Sequence, residues 1–304
     1  VAQLVNLGSL CIDNVYGVNA IARPGETLTA QSYRRFMGGK GLNQSLAAAA
    51  AGVATMHVGC VGTDGDELVA TLARAGVDTH AIRRHESLPS GHAVIQVDTT
   101  GANAIVIVGG ANRGLQPADF EVALSAVDAN GWLLLQNEIN DLDHVLAAAR
   151  TRNVRVAFNV APADTRVSGY DLGGVDLLIV NEIEAAALSG AARPEDALDT
   201  LTRRQPKQHV VVTCGEHGLH YGLGAQRLSM PAFRVAAVDA TAAGDAFIGY
   251  LMAGLIEGRP VAAALTAGSA AGALAVTRAG AADSIPTAAE VARMLNHTGG
   301  EIAR

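Results

Sequence analysis

No stretch of this sequence approaches the ~20 uninterrupted apolar residues that a membrane-spanning helix needs, because its Ala, Val and Leu come in short runs. That predicts a soluble protein. The opening, VAQLVNLGSL, has neither the basic start nor the small-residue cleavage site of a signal peptide, so a core strand at the start and a cytoplasmic location are expected. Cysteine is scarce. Cys11, Cys60 and Cys214 are odd in number, far apart and set in apolar segments, which predicts reduced core thiols and neither a disulfide framework nor a zinc site. Lysine is scarcer still: Lys40 and Lys207 are the two among 22 basic residues, so a lysine inside GGKG stands out. Positive charge forms no stripe beyond pairs such as Arg34 with Arg35 and Arg203 with Arg204, and a net charge of -7 gives no electrostatic reason to bind nucleic acid. No linker rich in Pro, Gly or Ser, no repeat and no low-complexity block divides the chain.

What is present is the composition of a well-buried chain, with 49% hydrophobic and 17% charged residues arguing against long disorder. LVNLG reads as a buried strand, followed by a polar-apolar alternating stretch over 12–37 and a helix over 39–51. Next come the strand TMHVGCVG, a helix over 66–75, and two alternating segments, HAVIQVD and NAIVIVG, that read as a hairpin. From Pro117 onward strand and helix take turns: WLLLQ, a helix over 142–150, VRVAFNV, DLLIV, a helix over 182–188, and HVVVTCG. The last third reads as helices over 244–257, 261–276 and 287–295. Continuous apolar strands alternating with helices predict an α/β fold with a doubly wound, mostly parallel sheet and helices on both faces. The half-exposed strands over 12–37 and 91–108 fall outside that pattern and predict a small β-sheet lid inserted into one domain spanning 1–304.

Four stretches can carry chemistry. FMGGKGLNQSL sets Gly38, Gly39 and Gly41 around Lys40 and Asn43 at a helix start, where backbone amides can approach an oxygen-rich ligand; an ordinary glycine-rich helix start fits the same residues. It is not a Walker A loop, since Gly41 and not Ser or Thr follows Lys40. GCVGTDG has the wrong glycine spacing for a dinucleotide fingerprint and reads as a turn. VNEIEAAAL ends a buried strand at Asn181 and opens a helix with Glu182 and Glu184; it is either a helix cap or an N-x-x-E pair holding water around Mg²⁺. TAAGD precedes a buried helix, so the N–H groups of residues 241–244 can meet an anion, and Asp245 in the first turn is either a capping acid or a catalytic base beside a phosphate. No G-x-S-x-G elbow, H-E-x-x-H helix or paired C-x-x-C occurs, which removes serine hydrolases and zinc enzymes. The stretches around Lys40, Asn181 and Asp245 are expected at strand-to-helix junctions of one parallel sheet, lining one crevice.

In this order the residues resemble the ribokinase family of carbohydrate kinases, also called the phosphofructokinase B type. GGKGLNQSLAAAAAG and DATAAGDAFIGYLMAGL correspond to its two signatures, and GSLCID, RPGETL, VGTDGDE, GGANRGL, NVAPA, VNEIEA, VVTCGEHGL and AVTRAGAADSIP extend the likeness over nearly the whole chain. The resemblance implies a ribokinase-like fold and ATP-dependent phosphorylation of a sugar, ribose first, at a hydroxymethyl group. It implies Asp245 as the base, with the amides of Ala242, Ala243 and Gly244 as the anion hole. Asp13, Gly39, Lys40, Asn43 and Glu138 match sugar-binding positions, and Asp245 faces the same hydroxyl. Asn181, Thr213, Gly215, Glu216, Gly218 and Gly244 match the nucleotide site, with Asn181 and Glu184 holding Mg²⁺ through water. Asp239, Thr241, Ala275, Arg278, Gly280 and Ser284 match the loops around a monovalent cation, usually K⁺, and the lid matches the clasp through which many members form homodimers.

The sequence departs from the family in three places. Cys11 stands where ribokinases usually have Asn two residues before the sugar-binding Asp, which keeps another pentose, a ketohexose, a deoxysugar or a nucleoside open as acceptor. D-A-T-A-A-G-D replaces the common D-T-x-G-A-G-D, and Ser269 stands near where a larger adenine-contacting residue is frequent. A non-catalytic sugar-binding protein is the alternative of a different class; a dinucleotide-dependent oxidoreductase would need a fingerprint the chain lacks.

Overall fold

The computed structural model describes residues 2–299. Its large sheet runs, edge to edge, β13 (Gln226–Met230), β12 (Leu219–Leu223), β11 (His209–Thr213), β10 (Leu177–Asn181), β9 (Val156–Asn159), β8 (Val127–Gln136), β1 (Ala2–Leu7), β4 (Thr55–Val61) and β5 (Ile82–Arg84). Neighbours from β11 to β5 are parallel, and the edge from β11 to β13 is antiparallel. The central strands read as unbroken apolar runs because each of their faces has its own core. Val5, Leu7, Leu133, Leu135, Phe158, Leu178 and Val180 face α3 (Pro117–Ala126), α4 (Leu142–Thr151), α5 (Glu182–Ser189) and α6 (Pro194–Arg204). Leu4, Leu134, Ala157, Ile179 and Val211 face α1 (Lys40–Ala50), α7 (Ala243–Ile256) and α8 (Val261–Ala275). Each such Val, Leu, Ile or Phe side chain contributes about 1.5–3 kcal/mol by leaving water. Two further helices, α2 (Asp66–Arg74) and α9 (Ala288–Gly299), pack Leu68, Leu72 and Val291 against the second layer.

The chain leaves β1 toward β4 and β5, then returns to β8 on the other side of β1. Such a reversal opens a crevice beyond the carboxyl ends of the two strands that flank it, here β1 and β8. Over that crevice stands a second sheet with the order β3 (Ser32–Gly38), β2 (Cys11–Gly17), β6 (Gly91–Val97) and β7 (Asn103–Val108). Its register pairs Asp13 with Phe36 and Ala93, Ala93 with Ile107, and Ile95 with Ile105, so these residues share one face. The alternating stretch over 12–37 is thus two strands separated by residues 18–31, which have no regular structure. No described helix is long and apolar enough to cross a membrane.

Two expectations need correction. Only Asn181 ends a parallel strand: the loop before Lys40 leaves β3 of the small sheet, and α7 is reached through residues 231–242 after the antiparallel β13. The stretches around Lys40 and Asp245 meet because α1 and α7 pack side by side, which no strand-order argument supplies. Gly249 permits that approach, since a Cβ there would lie 2.3 Å from Ala47 Cβ and 2.6 Å from Ala48 N. Cys11, expected as a core thiol, is half-buried and faces the crevice, whereas Cys60 and Cys214 are buried; all three are unpaired. The β12 and β13 hairpin and α6 were not foreseen, although Ala197, Leu198 and Leu201 of α6 do fall on one buried face.

Gly249→Ala is expected to destabilise the fold by about 1–3 kcal/mol through overpacking, read as a lower urea midpoint at unchanged slope. An unchanged midpoint would show that α1 and α7 can separate at no cost.

Candidate active site

The crevice holds a cavity of about 440 Å³ whose ionisable walls are four carboxylates, Asp13, Glu138, Glu184 and Asp245, with Lys40 as its one ammonium and Cys11 as a thiol. Lys40 opens α1 behind Gly39, which takes φ 92°, a left-handed conformation that favours glycine. The N-terminus of α1 is closed by Glu138, which follows β8: its Oε2 accepts the Lys40 N–H at 3.1 Å and also the hydroxyl of Ser9, which follows β1. A carboxylate at that end also suits the helix dipole.

Asp245, in the first turn of α7, is 7% exposed. Its Oδ2 accepts from Asn43 Nδ2 at 2.9 Å and its Oδ1 from Gln44 Nε2 at 2.8 Å. Burial pushes its carboxyl above the usual carboxylate range, against the pull of the Lys40 ammonium and the two amides. Burial would lower Lys40, but the carboxylates of Asp245, Glu138 and Glu184 outweigh it and hold the ammonium charged. Asn43 has a second role available. Its Oδ1 is buried with no hydrogen-bond partner, an acceptor that a ligand hydroxyl can fill.

The loop before α7 is strained. Ala242, its N-cap, sits at φ 60°, ψ 5°, a left-handed conformation that costs a residue with a Cβ about 1–2 kcal/mol. The N–H groups of Ala242 and Gly244 have no acceptor among the described residues, whereas Ala243 N–H bonds Ala240 O at 3.3 Å. The expected trio of free amides is therefore reduced to two, because the turn closes on Ala243.

Asn181 and Glu184 form a reciprocal cap, with Glu184 N–H to Asn181 Oδ1 and Asn181 N–H to Glu184 Oε2, both at 2.8 Å. Glu184 is 4% exposed and pushed up by burial, yet its Oε1 has no protein donor and it lines the cavity. No three of His, Cys, Asp and Glu converge as a metal site among the described residues, so a Mg²⁺ ion here would be held through water. Four carboxylates against one ammonium are compatible with such an ion.

Asp239 Oδ1 accepts from Thr241 N at 2.9 Å and Thr241 Oγ1 at 2.6 Å, and its Oδ2 accepts from Gly280 N at 3.0 Å. Burial would raise Asp239, but these donors hold it below the usual range, so an ionised carboxylate sits where two loops clasp. Ala275 and Ser284 lie in the clasped segment, with Ser284 fully buried and bonded to Ala281 O. Arg278 turns its guanidinium outward onto Glu290, leaving only its backbone near the loop. Thr213 reaches the cavity wall, but Gly215, Glu216 and Gly218 do not; they form the turn between β11 and β12, and Glu216 is exposed.

Sequence reasoning missed Ser9, Gln44 and Asn159. A signal existed in the polar residues that follow apolar runs at or next to strand ends, such as Asn6, Gln136 and Asn159.

Asp13 is pushed up to about 6 by burial and by the Glu138 carboxylate. Because that value lies above the unfolded one, ionising Asp13 costs stability, and the cost grows as pH rises through about 6. Unliganded Asp13→Asn should therefore be more stable than the parent at pH 8, by on the order of 2 kcal/mol, and lose that advantage near pH 4. Thermal melts at both pH values check this; a variant less stable at pH 8 would contradict it.

A model of the pfkB family of carbohydrate kinases matches residues 1–288. The chain is 34% identical over 302 residues to a ribokinase of Haemophilus influenzae, covering 97% of this chain and 98% of that one. It is 30% identical over 291 residues to a deoxyribokinase of Salmonella typhi, covering 92% and 94%. The structure of an Arabidopsis thaliana ribokinase complexed with ribose and ATP superposes with a TM-score of 0.87 at 29% identity, covering 97% of this chain and 99% of that one.

Proposed function

Since the chain belongs to the pfkB family of carbohydrate kinases, ATP-dependent phosphotransferases with an alcohol acceptor, we propose that its acceptor is the hydroxymethyl group of ribose and that Asp245 is the base. The observation that carries this reading is a buried carboxylate at a helix start, open to the cavity, held by two amides and faced by one ammonium. Binding alone does not require a carboxylate beside free N–H groups, which argues against a non-catalytic sugar-binding protein. Asp13, Glu138, Asn43, Lys40 and the Gly39 backbone would hold the sugar hydroxyls, with Asn43 Oδ1 gaining its missing donor. Asp245 would accept the hydroxymethyl proton as the sugar oxygen bonds to the γ-phosphorus and the bond to the β-phosphate oxygen breaks, releasing ADP. The N–H groups of Ala242 and Gly244 would draw the charge of the moving phosphoryl group toward the start of α7. Asn181 and Thr213 would face the nucleotide, with Gly215, Glu216 and Gly218 at the outer rim. Mg²⁺, held through water beside Asn181 and Glu184 Oε1, would neutralise phosphate charge. A monovalent cation, K⁺ by preference, would sit against Asp239 and backbone carbonyls of the loops carrying Thr241, Ala275, Arg278, Gly280 and Ser284, and hold the Ala242 loop in its left-handed turn. Free thiols and the need for ATP favour the cytoplasm.

One observation favours a second acceptor. Cys11 lines the cavity as a neutral thiol, kept so by burial, with only a 3.4 Å contact from Asn112 Nδ2. A thiol is a weak partner for a hydroxyl, so a deoxysugar would lose little there. ADP release in Mg²⁺ and K⁺ across pentoses, ketohexoses, deoxysugars and nucleosides should be largest with ribose. It should fall in Na⁺ and drop by about 10²-fold or more in Asp245→Asn, with ATP binding kept. A deoxysugar preference would reassign the acceptor, and near-parent turnover in Asp245→Asn would remove the base.

The face of the small sheet turned away from the cavity carries Tyr33, Val94, Val106 and Val108, all exposed, with Val106 at 65%. We read it as a homodimer surface, and the opposite face as a lid over the sugar. Val106→Asp should then halve the mass measured by light scattering; a monomeric parent would end this reading.

A further inference from the structure

Beneath Asp245 lies a layer of buried polar side chains, of which Asn159 alone also touches the cavity wall. Asn6, Gln136 and Asn159 each sit at or next to the carboxyl end of a neighbouring strand and His57 lies within β4, with Asn6 paired to His57 and Gln136 to Asn159 across the sheet. Gln136 gives both of its amide protons away, one to Asn6 Oδ1 at 2.9 Å and one to Gln44 Oε1 at 2.7 Å. With Oε1 occupied, Gln44 must turn its NH₂ the other way, where it meets Asp245 Oδ1 at 2.8 Å and Asn159 Oδ1 at 3.1 Å. The second branch is fixed with equal polarity. Asn6 Nδ2 donates to Ser45 Oγ at 2.8 Å and to Gly41 O at 2.8 Å, leaving the Ser45 hydroxyl to donate to His57 Nδ1 at 2.8 Å. His57 Nε2 then carries the proton toward Gly8 O at 3.3 Å, and burial lowers the ring to about 4, so it stays neutral.

Buried amides add little stability over apolar side chains of the same shape, so a layer spanning four strands is hard to explain by folding alone. We propose that Gln44 and Gln136 are positioning residues for the phosphoryl-transfer base: Gln136 sets the orientation of the Gln44 amide, and Gln44 holds Asp245 Oδ1 so that Oδ2 faces the acceptor hydroxyl. This rests on Asp245 being the base. The groups that set its charge are Lys40, Asn43 and Gln44 on α1 and Glu138 beyond β8, with Glu184 acting on Lys40; of these, Gln44 alone lies outside the cavity wall. Losing the Gln44 donor removes one of the influences that pull the buried carboxyl down, so the acid limb of a pH profile moves to higher pH.

The test uses the full chain with the acceptor that turns over fastest. Gln44→Leu should lower kcat about tenfold or more, keep the sugar KM within about twofold, and raise the acid limb of kcat by about one pH unit. Gln136→Leu should do the same to a lesser degree, and the double variant should be no worse than Gln44→Leu, because the two act in series. Gln44→Glu preserves shape if the Leu variants fold poorly. It sets a second carboxylate against Asp245, so the pair shares a proton and the acid limb should rise by more than one unit. A lower Tm with parent kcat and an unmoved acid limb in these variants would overturn the proposal, as would strictly additive Gln44 and Gln136 effects. Asp245→Asn run alongside separates the readings: if that variant still turns over, the base assignment fails first; if it is dead while Gln44→Leu matches the parent, only the positioning role falls.

Discussion

The close packing of α1 on α7 is the constraint from which the site follows. Ala47 and Gly249 bring the two helices within backbone distance, and the first turns of both then open into one cavity. Asn43 and Gln44 on one helix can reach Asp245 on the other only at that separation, with both bonds at 2.8–2.9 Å. A carboxylate that buried is costly unless its oxygens are bonded, and two neutral amides satisfy it without fixing it as a permanent ion pair. Its elevated proton affinity follows from the same burial.

Charge in the cavity is deliberately unbalanced. Lys40 faces Asp245, Glu138 and Glu184, and Asp13 is pushed up to about 6 by burial and by the nearby Glu138. A pocket with more carboxylates than cations accepts hydroxyl donors well and repels bare phosphates. Glu184 Oε1, which no protein donor takes, and the Asp239 carboxylate where two loops clasp both offer oxygen. Function and stability draw on the same groups here, as expected where perturbed carboxylates cluster.

Several site residues also do ordinary structural work, which is why sequence alone left them ambiguous. Asn181 and Glu184 form a complete capping box, and Glu138 closes the start of α1. Neither reading displaces the other, since a cap uses one carboxylate oxygen and leaves the second for a ligand. Ala242 is different. No local rule favours alanine in a left-handed turn, and a strained residue at a cavity is where backbone geometry serves function at some cost to stability.

The amino-acid sequence by itself determined the fold class, the alternation of apolar strands with helices, the separate small sheet and the stretches that hold Lys40, Asn43, Asn181 and Asp245. These are local in origin: strand and helix periodicity, glycine and capping chemistry act over a few residues, and the two signature stretches are each continuous. Tertiary structure alone decided that Cys11 faces the cavity, that Gly215, Glu216 and Gly218 stand outside the wall, and that Gln44 and Gln136 lie in series behind Asp245. The Gln136–Gln44–Asp245 series depends on contacts across 92 and 201 positions of sequence, and no periodicity encodes which amide of a buried pair donates and which accepts.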